Sequence, residues 1–349
     1  MTKVIKADPN LTVEALTEAL EEVAKALTEG SLAAFPTETV YGLGCNPFNR
    51  RAVERLYEIK GRPKGRPLPL LVLSPDQVDE LATEISDAAR KLMERFFPGA
   101  LTLILRRSSK VPDEVCAYTD KVGVRCPKHN IPLALIKACG TPLATPSANL
   151  SGRISPTDAG EVIRQLGGQI EYVIDGGKTS IGIESTVIDM TVDPPKILRL
   201  GAIGVEEIET VIGKGVEIDE GAMTGRYRPI HARLILVDID GREERIKALK
   251  ERAANFMEAG CSVCLVVTDE TMQALHTDEA LSKALLLSLG SERNLEGIAA
   301  SLYERIAFAD KEKLDVVLVE AVPRHGIGAA IMQRLTSAAH EVIKVSGSE

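Results

Sequence analysis

Tryptophan is absent from the 349 residues, and all aromatic side chains together make up 3% of them. Surfaces that hold single-stranded nucleic acid stack bases on aromatic rings, so a base-stacking platform is disfavoured. No stretch approaches the run of about eighteen apolar residues that a membrane-crossing helix needs. The opening MTKVIKADPNL has no apolar core of a secretory leader. A chain confined to the cytoplasm, without a membrane, is the expectation. The five histidines are dispersed and HExxH does not occur, so histidine offers no metal-site spacing. GxxxxGK[ST], a strand–GxGxxG–helix unit and GxSxG are missing as well, so P-loop, dinucleotide and serine-hydrolase chemistry have no signature here.

Cysteine is sparse. Six residues at 45, 116, 126, 139, 261 and 264 are scattered over a chain too long for a disulfide framework without a leader. Cys261 and Cys264 form a CxxC, but GCSVCLVVTD is a β-like apolar run, which suits buried core cysteines better than a metal or redox pair.

What is present fits a globular protein of two domains: 44% apolar and 26% charged residues. Charge is uneven. Residues 1–205 hold 25 Lys or Arg against 25 Asp or Glu, so the whole excess of −8 lies beyond them. An acidic second half is a poor nucleic-acid platform.

Periodicity divides the chain. An amphipathic helix is expected over 11–29, stopped by Gly30, followed by an apolar run from Leu32 to Phe35. Helix 51–60 ends at Gly61, and LPLLVL (68–73) reads as a buried strand. Helix 86–96, strands 101–106 and 122–126, helix 131–138, strand 142–145 and a helical 157–166 follow. YVID, STVIDM and KILRL are three strand-like runs, and helix 205–212 closes the segment. This mixed order implies an α/β domain over 1–212 with a partly antiparallel sheet. Residues 213–233 are rich in Gly and charge, lack periodicity and read as an interdomain linker. In 234–349, strand LILVDI, helix 242–259, strand CSVCLVV, helices 277–289 and 294–309, strand VVLVEA and helix 327–340 alternate. That pattern implies a parallel, Rossmann-like three-layer α/β/α domain.

Five stretches of the first domain carry polar residues in unusual places. In PTETVYGLG (36–44), Thr37 and Thr39 follow a buried strand beside Gly42 and Gly44. The stretch could orient a small polar ligand or simply cap the strand. In IKGRPKGRPLPL (59–70), Lys60, Arg62, Lys64 and Arg66 sit among stiffening prolines. Fixed cations suit a polyphosphate, though a solvated basic loop would read alike. Arg125 in VGVRCP lies in an apolar strand and needs an anionic partner, from a ligand or from the protein. Thr145, Ser147, Asn149 and Ser151 follow a strand in TPSANLSG. Without a nearby base, Ser147 suits hydrogen bonding to phosphate or ribose rather than nucleophilic attack. Ser185 and Thr186 begin a strand in GIESTVID, and Arg199 ends one in ILRLGAI.

Together these stretches resemble the YrdC/Sua5 family of threonylcarbamoyl-AMP synthases. PTETVYGLG, KGRP with a following basic residue and PL, VGVR, PSANLSG, ESTV and ILRLG occur in the family's order over residues 11–213. GIGAAIMQRLTSAAHEVI (326–343) resembles the C-terminal extension of the long, two-domain form. The resemblance implies an enzyme that joins L-threonine, bicarbonate or CO2 and ATP into threonylcarbamoyl-adenylate and releases pyrophosphate. The adenylate would feed a downstream threonylcarbamoyl transferase that makes N6-threonylcarbamoyladenosine in tRNA. It implies Thr37, Arg125 and Ser185 on threonine; Arg62, Arg66, Thr145, Ser147, Asn149 and Arg199 on ATP; Lys60 and Arg62 as the catalytic cations; and Mg2+ carried with ATP, with no metal site of the protein's own. Direct tRNA binding is expected to be weak or missing. The chain departs from the long form at Leu71, where a histidine usually reaches threonine. The linker text AMTGRYRPIHA offers Met223, Arg226 and Tyr227 as partial matches to a segment that closes over the site, with Arg228 and His231 nearby. Two rivals are an RNA-binding module and a carbamoyl-adenylate-forming enzyme. Neutral charge in the first domain weighs against the former. The lack of accessory acylphosphatase and zinc-finger segments weighs against the latter.

Overall fold

The computed structural model describes residues 1–219 and 230–344, which form two compact units separated near residue 222. The linker segment with Met223, Arg226, Tyr227 and Arg228, and the closing role expected of it, lies outside the described residues. His231 is described, and its backbone N–H donates to Asp310 Oδ1 within the second unit (2.7 Å).

The first unit contains two sheets. The smaller runs Lys3–Lys6, Tyr172–Asp175, Ala33–Phe35, Gly42–Gly44, with an antiparallel final pair. The larger runs Glu217–Ile218, Lys196–Arg199, Thr186–Asp189, Leu101–Arg107, Lys121–Arg125, Leu70–Leu71, Leu143–Ala144, with Ala82–Thr83 beside Leu101–Arg107. It mixes parallel and antiparallel pairs, as the order of elements implied. The short Glu217–Ile218 strand corrects the linker boundary: it pairs in parallel with Lys196–Ile197, so those residues belong to the sheet edge. Lys3–Lys6 was not legible as a strand, being four residues with a mostly exposed pattern.

The helix expected over 11–29 is two helices, Val13–Ala19 and Glu21–Glu29. Thr12 caps the first by accepting from Ala15 N–H. Leu20, fully buried, forms the joint (φ −106, ψ 13), so both helices keep apolar faces on one core. Gly30 ends the second in the left-handed region, as expected.

In the second unit five parallel strands run Leu285–Ser288, Val263–Val267, Val316–Glu320, Arg233–Val237, Glu341–Ile343. Helices Arg242–Glu258 and Asp269–Leu275 pack on one another and on the sheet; Leu295–Lys311 and Ile327–Ala338 form a second such pair. The helix expected over 277–289 is wrong. Only Glu279–Leu281 is helical, as one 3-10 turn, and Leu285–Ser288 is an edge strand. Its three consecutive leucines satisfy either pattern, and pairing with Cys264–Val267 decides between them. Cys264 is buried on its strand, where burial pushes the thiol up to about 12, and it forms no disulfide.

Glu320 stitches this sheet at the end of its strand. Fully buried, it accepts from Arg245 Nε (2.8 Å), Thr268 N–H (2.8 Å) and the hydroxyls of Thr268 and Thr271. Removing one partner of a buried ion pair strands the other. Glu320→Gln should therefore destabilise the second unit by about 3 kcal/mol, read as faster amide exchange in Val263–Val267 and Val316–Glu320. Unchanged exchange there would contradict this role.

Candidate functional site

The large sheet buries both faces differently. Along Leu101–Arg107, residues Leu101, Leu103 and Leu105 enter the main core, as do Val122, Val124 and Ile188 on the flanking strands. The alternate residues, Thr102, Ile104, Lys121, Gly123, Arg125, Val187 and Asp189, line a cavity of about 580 Å³. Period-two alternation thus puts charge on one face and aliphatic side chains on the other. The walls come from the hairpin turn around Thr37–Gly42, the loop Arg62–Pro69, Thr145–Ser147 and Leu198–Arg199. All belong to the first unit.

Two glycines let these walls close. A Cβ on Gly42 would lie 2.4 Å from Thr145 Cγ2, where the hairpin bridges to Ser147. A Cβ on Gly201 would lie 2.2 Å from Thr186 N and 2.3 Å from Ser185 C, so only glycine lets this segment lie against the Ser185–Thr186 backbone.

Ser185 is the hub at one end. Its hydroxyl is 2.8 Å from Thr102 Oγ1, and Arg199 Nη2 donates to both its Oγ (3.0 Å) and its carbonyl (2.9 Å). Thr37 Oγ1 donates to Val40 O (2.7 Å), accepts from Thr39 N–H (3.1 Å) and is 2.9 Å from Thr39 Oγ1. Arg125, 7% exposed, donates through Nε to Gly99 O (3.1 Å) and sets Nη2 2.8 Å from Glu38 Oε2. Its anionic partner within the protein is therefore a carboxylate, while the side chain still lines the cavity.

Of the residues singled out by sequence, Thr37, Arg62, Arg125, Thr145, Ser147, Ser185 and Arg199 share this one cavity. Lys60, Arg66 and Asn149 are not in its lining. Lys60 is 2% exposed and donates to the carbonyls of Ser147 and Asn149, which pins the TPSANLSG loop from behind. Asn149 accepts from Ser147 Oγ and donates to Leu150 O. Arg66 is exposed; its carbonyl receives Arg62 Nε (3.1 Å) and Tyr57 Oη (2.8 Å). Arg62 also donates to Pro67 O (2.8 Å), so the proline-rich loop wraps around its own guanidinium.

Sequence reasoning missed three groups. Lys121 donates to Asp189 Oδ2 across the intervening strand (2.7 Å). Burial opposes ionisation of Asp189, but Lys121 and Thr191 outweigh it and hold the carboxyl below its usual range. Lys121 could have been found by stepping two residues at a time back from Arg125. Glu184 lines the cavity and accepts from Ser155 Oγ (2.7 Å). Glu38 lay within a motif read for its threonines. Leu71, where a histidine was noted as usual, also lines the cavity.

A family model described as "Telomere recombination" matches residues 25–201, and one described as the threonylcarbamoyl-AMP synthase C-terminal domain matches residues 203–340. A threonylcarbamoyl-AMP synthase of Pyrococcus abyssi is 40% identical over 330 residues, covering 91% of this chain and 94% of the relative. One from Bacillus subtilis is 39% identical, covering 92% of each. The crystal structure of P. abyssi Sua5 complexed with L-threonine matches with a TM-score of 0.88 at 38% identity, over 99% of this chain and all of that one.

The burial of Lys60, together with Arg62 beside it, lowers its ammonium pKa from 10.5 to about 7. Below about pH 7 both folded and unfolded chains hold the proton, and the cost of burying it is complete. From there to about 10.5 the unfolded chain binds more protons, so stability rises with pH across that window. A lysine-labelled NMR titration should place the Lys60 midpoint near 7, and Lys60→Met should remove its share of the rise. A midpoint in the ordinary lysine range would contradict the burial argument.

Proposed function

The chain belongs to the YrdC/Sua5 family of threonylcarbamoyl-AMP synthases, and we propose that it forms threonylcarbamoyl-adenylate from L-threonine, bicarbonate or CO2 and ATP inside the cavity of the first unit. The observation that carries this is convergence. Three cationic side chains and four hydroxyls expected on two different substrates line one cavity, built on one sheet face. The adenylate would serve the threonylcarbamoyl modification of adenosine in tRNA, through a separate transferase and without strong tRNA binding by this chain. No helix among the described residues is long and apolar enough to cross a membrane, and a cytoplasmic setting fits an ATP-dependent reaction.

In this reading the threonine amine adds to CO2 or bicarbonate, and an oxygen of the resulting carbamate attacks the α-phosphorus of ATP as pyrophosphate leaves. Neither step calls for a covalent protein intermediate. What the protein supplies is positioning and charge. Arg125 would take the threonine carboxylate, and Thr37 and Ser185 its remaining polar groups. Arg62 and Arg199 would meet the phosphates, with Thr145 and Ser147 offering hydroxyls to phosphate or ribose. Lys60 and Asn149 would act from behind, by holding the Ser147 loop, and Arg66 through its carbonyl on Arg62. Leu71 makes the amino-acid end more apolar than the family's usual histidine would.

Mg2+ would arrive on the nucleotide, held by phosphate oxygens and water, as this ion commonly is. When bound it would offset phosphate charge.

Incubation with ATP, bicarbonate and Mg2+ should release pyrophosphate only when threonine is added. Release indifferent to threonine, or ADP in its place, would overturn the assignment. Arg62→Ala should weaken ATP binding or turnover by about 1.5–3 kcal/mol, the usual worth of a charge-assisted hydrogen bond, and leave threonine binding nearly unchanged. Unaltered ATP kinetics would remove Arg62 from the site.

A further inference from the structure

The cations that line the cavity differ in what faces them. Arg62 donates to two main-chain carbonyls. Arg125 faces a buried carboxylate, with the side chains of Arg125 and Glu38 only 9% and 8% exposed. Arg125 lines the cavity and Glu38 does not, so the glutamate stands behind the guanidinium. Its turn is fixed from outside: Glu38 O accepts from Ile181 N–H (2.8 Å) and Ser180 Oγ (3.3 Å), and Thr39 O from Gly182 N–H (3.1 Å).

The two groups are close, yet off-angle. At 2.8 Å they form an ion pair, but both Glu38 oxygens and Arg125 Nη2 make no hydrogen bond of acceptable geometry. Charge therefore matters more here than direction. A buried ion pair is also a weak source of stability compared with apolar packing of the same volume. What it changes is the field in the cavity. A guanidinium compensated from behind still offers N–H donors, but with little net charge. It suits a ligand that is neutral overall, such as an amino-acid zwitterion, and it holds a multiply charged phosphate poorly.

We propose that Glu38 is a specificity-determining positioning residue: by holding and compensating Arg125, it reserves that guanidinium for the zwitterionic amino acid and keeps polyphosphate away from it. The inference rests on Arg125 as the partner of the threonine carboxylate. It addresses a problem set by the proposed reaction, which puts an amino acid beside a triphosphate and then frees pyrophosphate in the same cavity. Rejecting the wrong ligand by an unfavourable charge is a general route to selectivity.

The test uses the full chain, with inorganic tripolyphosphate as a dead-end inhibitor and chromatographic measurement of the adenylate. In the native protein, tripolyphosphate should compete with ATP and not with threonine. In Glu38→Gln it should also compete with threonine, with an inhibition constant against threonine lower by about tenfold or more. Glu38→Asp, which keeps the charge, should move back towards the native pattern. A general loss of structure would weaken both substrates without creating this new competition. A native inhibition pattern in a folded Glu38→Gln protein overturns the proposal. Arg125→Gln separates the two levels. If it leaves the threonine KM unchanged, the reading of Arg125 fails; if it raises that KM while Glu38→Gln behaves as native, the reading stands and this inference fails. Should Glu38→Gln not fold, calorimetry on the native chain decides. L-threonine should bind at least about tenfold more tightly than anionic N-acetyl-L-threonine, and equal binding overturns the proposal.

Discussion

Charge buried on one face of a sheet is the constraint from which the rest of the first unit follows. Arg125, Asp189 and the hydroxyl of Thr102 stand on strands whose alternate residues fill an aliphatic core, and Ser185 immediately precedes one of them. Such groups are costly in a protein interior unless each is paired or hydrogen-bonded. Glu38 therefore has to reach Arg125, Lys121 has to reach Asp189, and Arg199 has to close on Ser185. The first pairing draws the Thr37–Gly42 turn over the sheet, while the other two tie segments of the sheet itself together. The turn that carries Glu38 is also a wall of the cavity, so at that wall the satisfaction of buried charge and the shape of the site are one structural event.

The second layer is made of contacts that hold the cavity's walls in place. Lys60 spends its ammonium on two carbonyls of the Ser147 loop, and Tyr57 and Arg62 tie down the loop that carries Arg66 and Pro67. Gly201 permits the close approach that brings Arg199 to Ser185. A catalyst that works by positioning depends on such supports as much as on the groups in contact with substrate. That is why the KGRP and PSANLSG stretches act as one unit although nearly ninety positions separate Lys60 from Asn149.

Much of this was legible in the sequence, for physical reasons. Strands such as Leu101–Arg107 and Lys121–Arg125 are dense in aliphatic residues, and an arginine within one announced a partner. Gly30, Gly61 and Gly213 mark helix ends where the left-handed conformation is needed. What stayed hidden depends on pairing between distant segments. Nothing local distinguishes Leu285–Ser288 from a helix until Cys264–Val267 lies beside it. Lys60 reads as a cavity cation until the fold shows it turned to the loop behind, and Glu38 reads as one polar residue among threonines until Arg125 comes within 2.8 Å. Spacing reports which residues can share a face; it does not report which of them face each other.

The central claim is that one sheet face brings the amino acid and the nucleotide into a single cavity with separate ionic partners. A crystal structure of the chain with L-threonine and a non-hydrolysable ATP analogue tests it most directly. The account predicts both ligands over Thr102, Gly123 and Val187, with the threonine carboxylate about 3 Å from Arg125 and the phosphates at Arg62 and Arg199. Phosphate oxygens on Arg125, or the two ligands in different cavities, would contradict it.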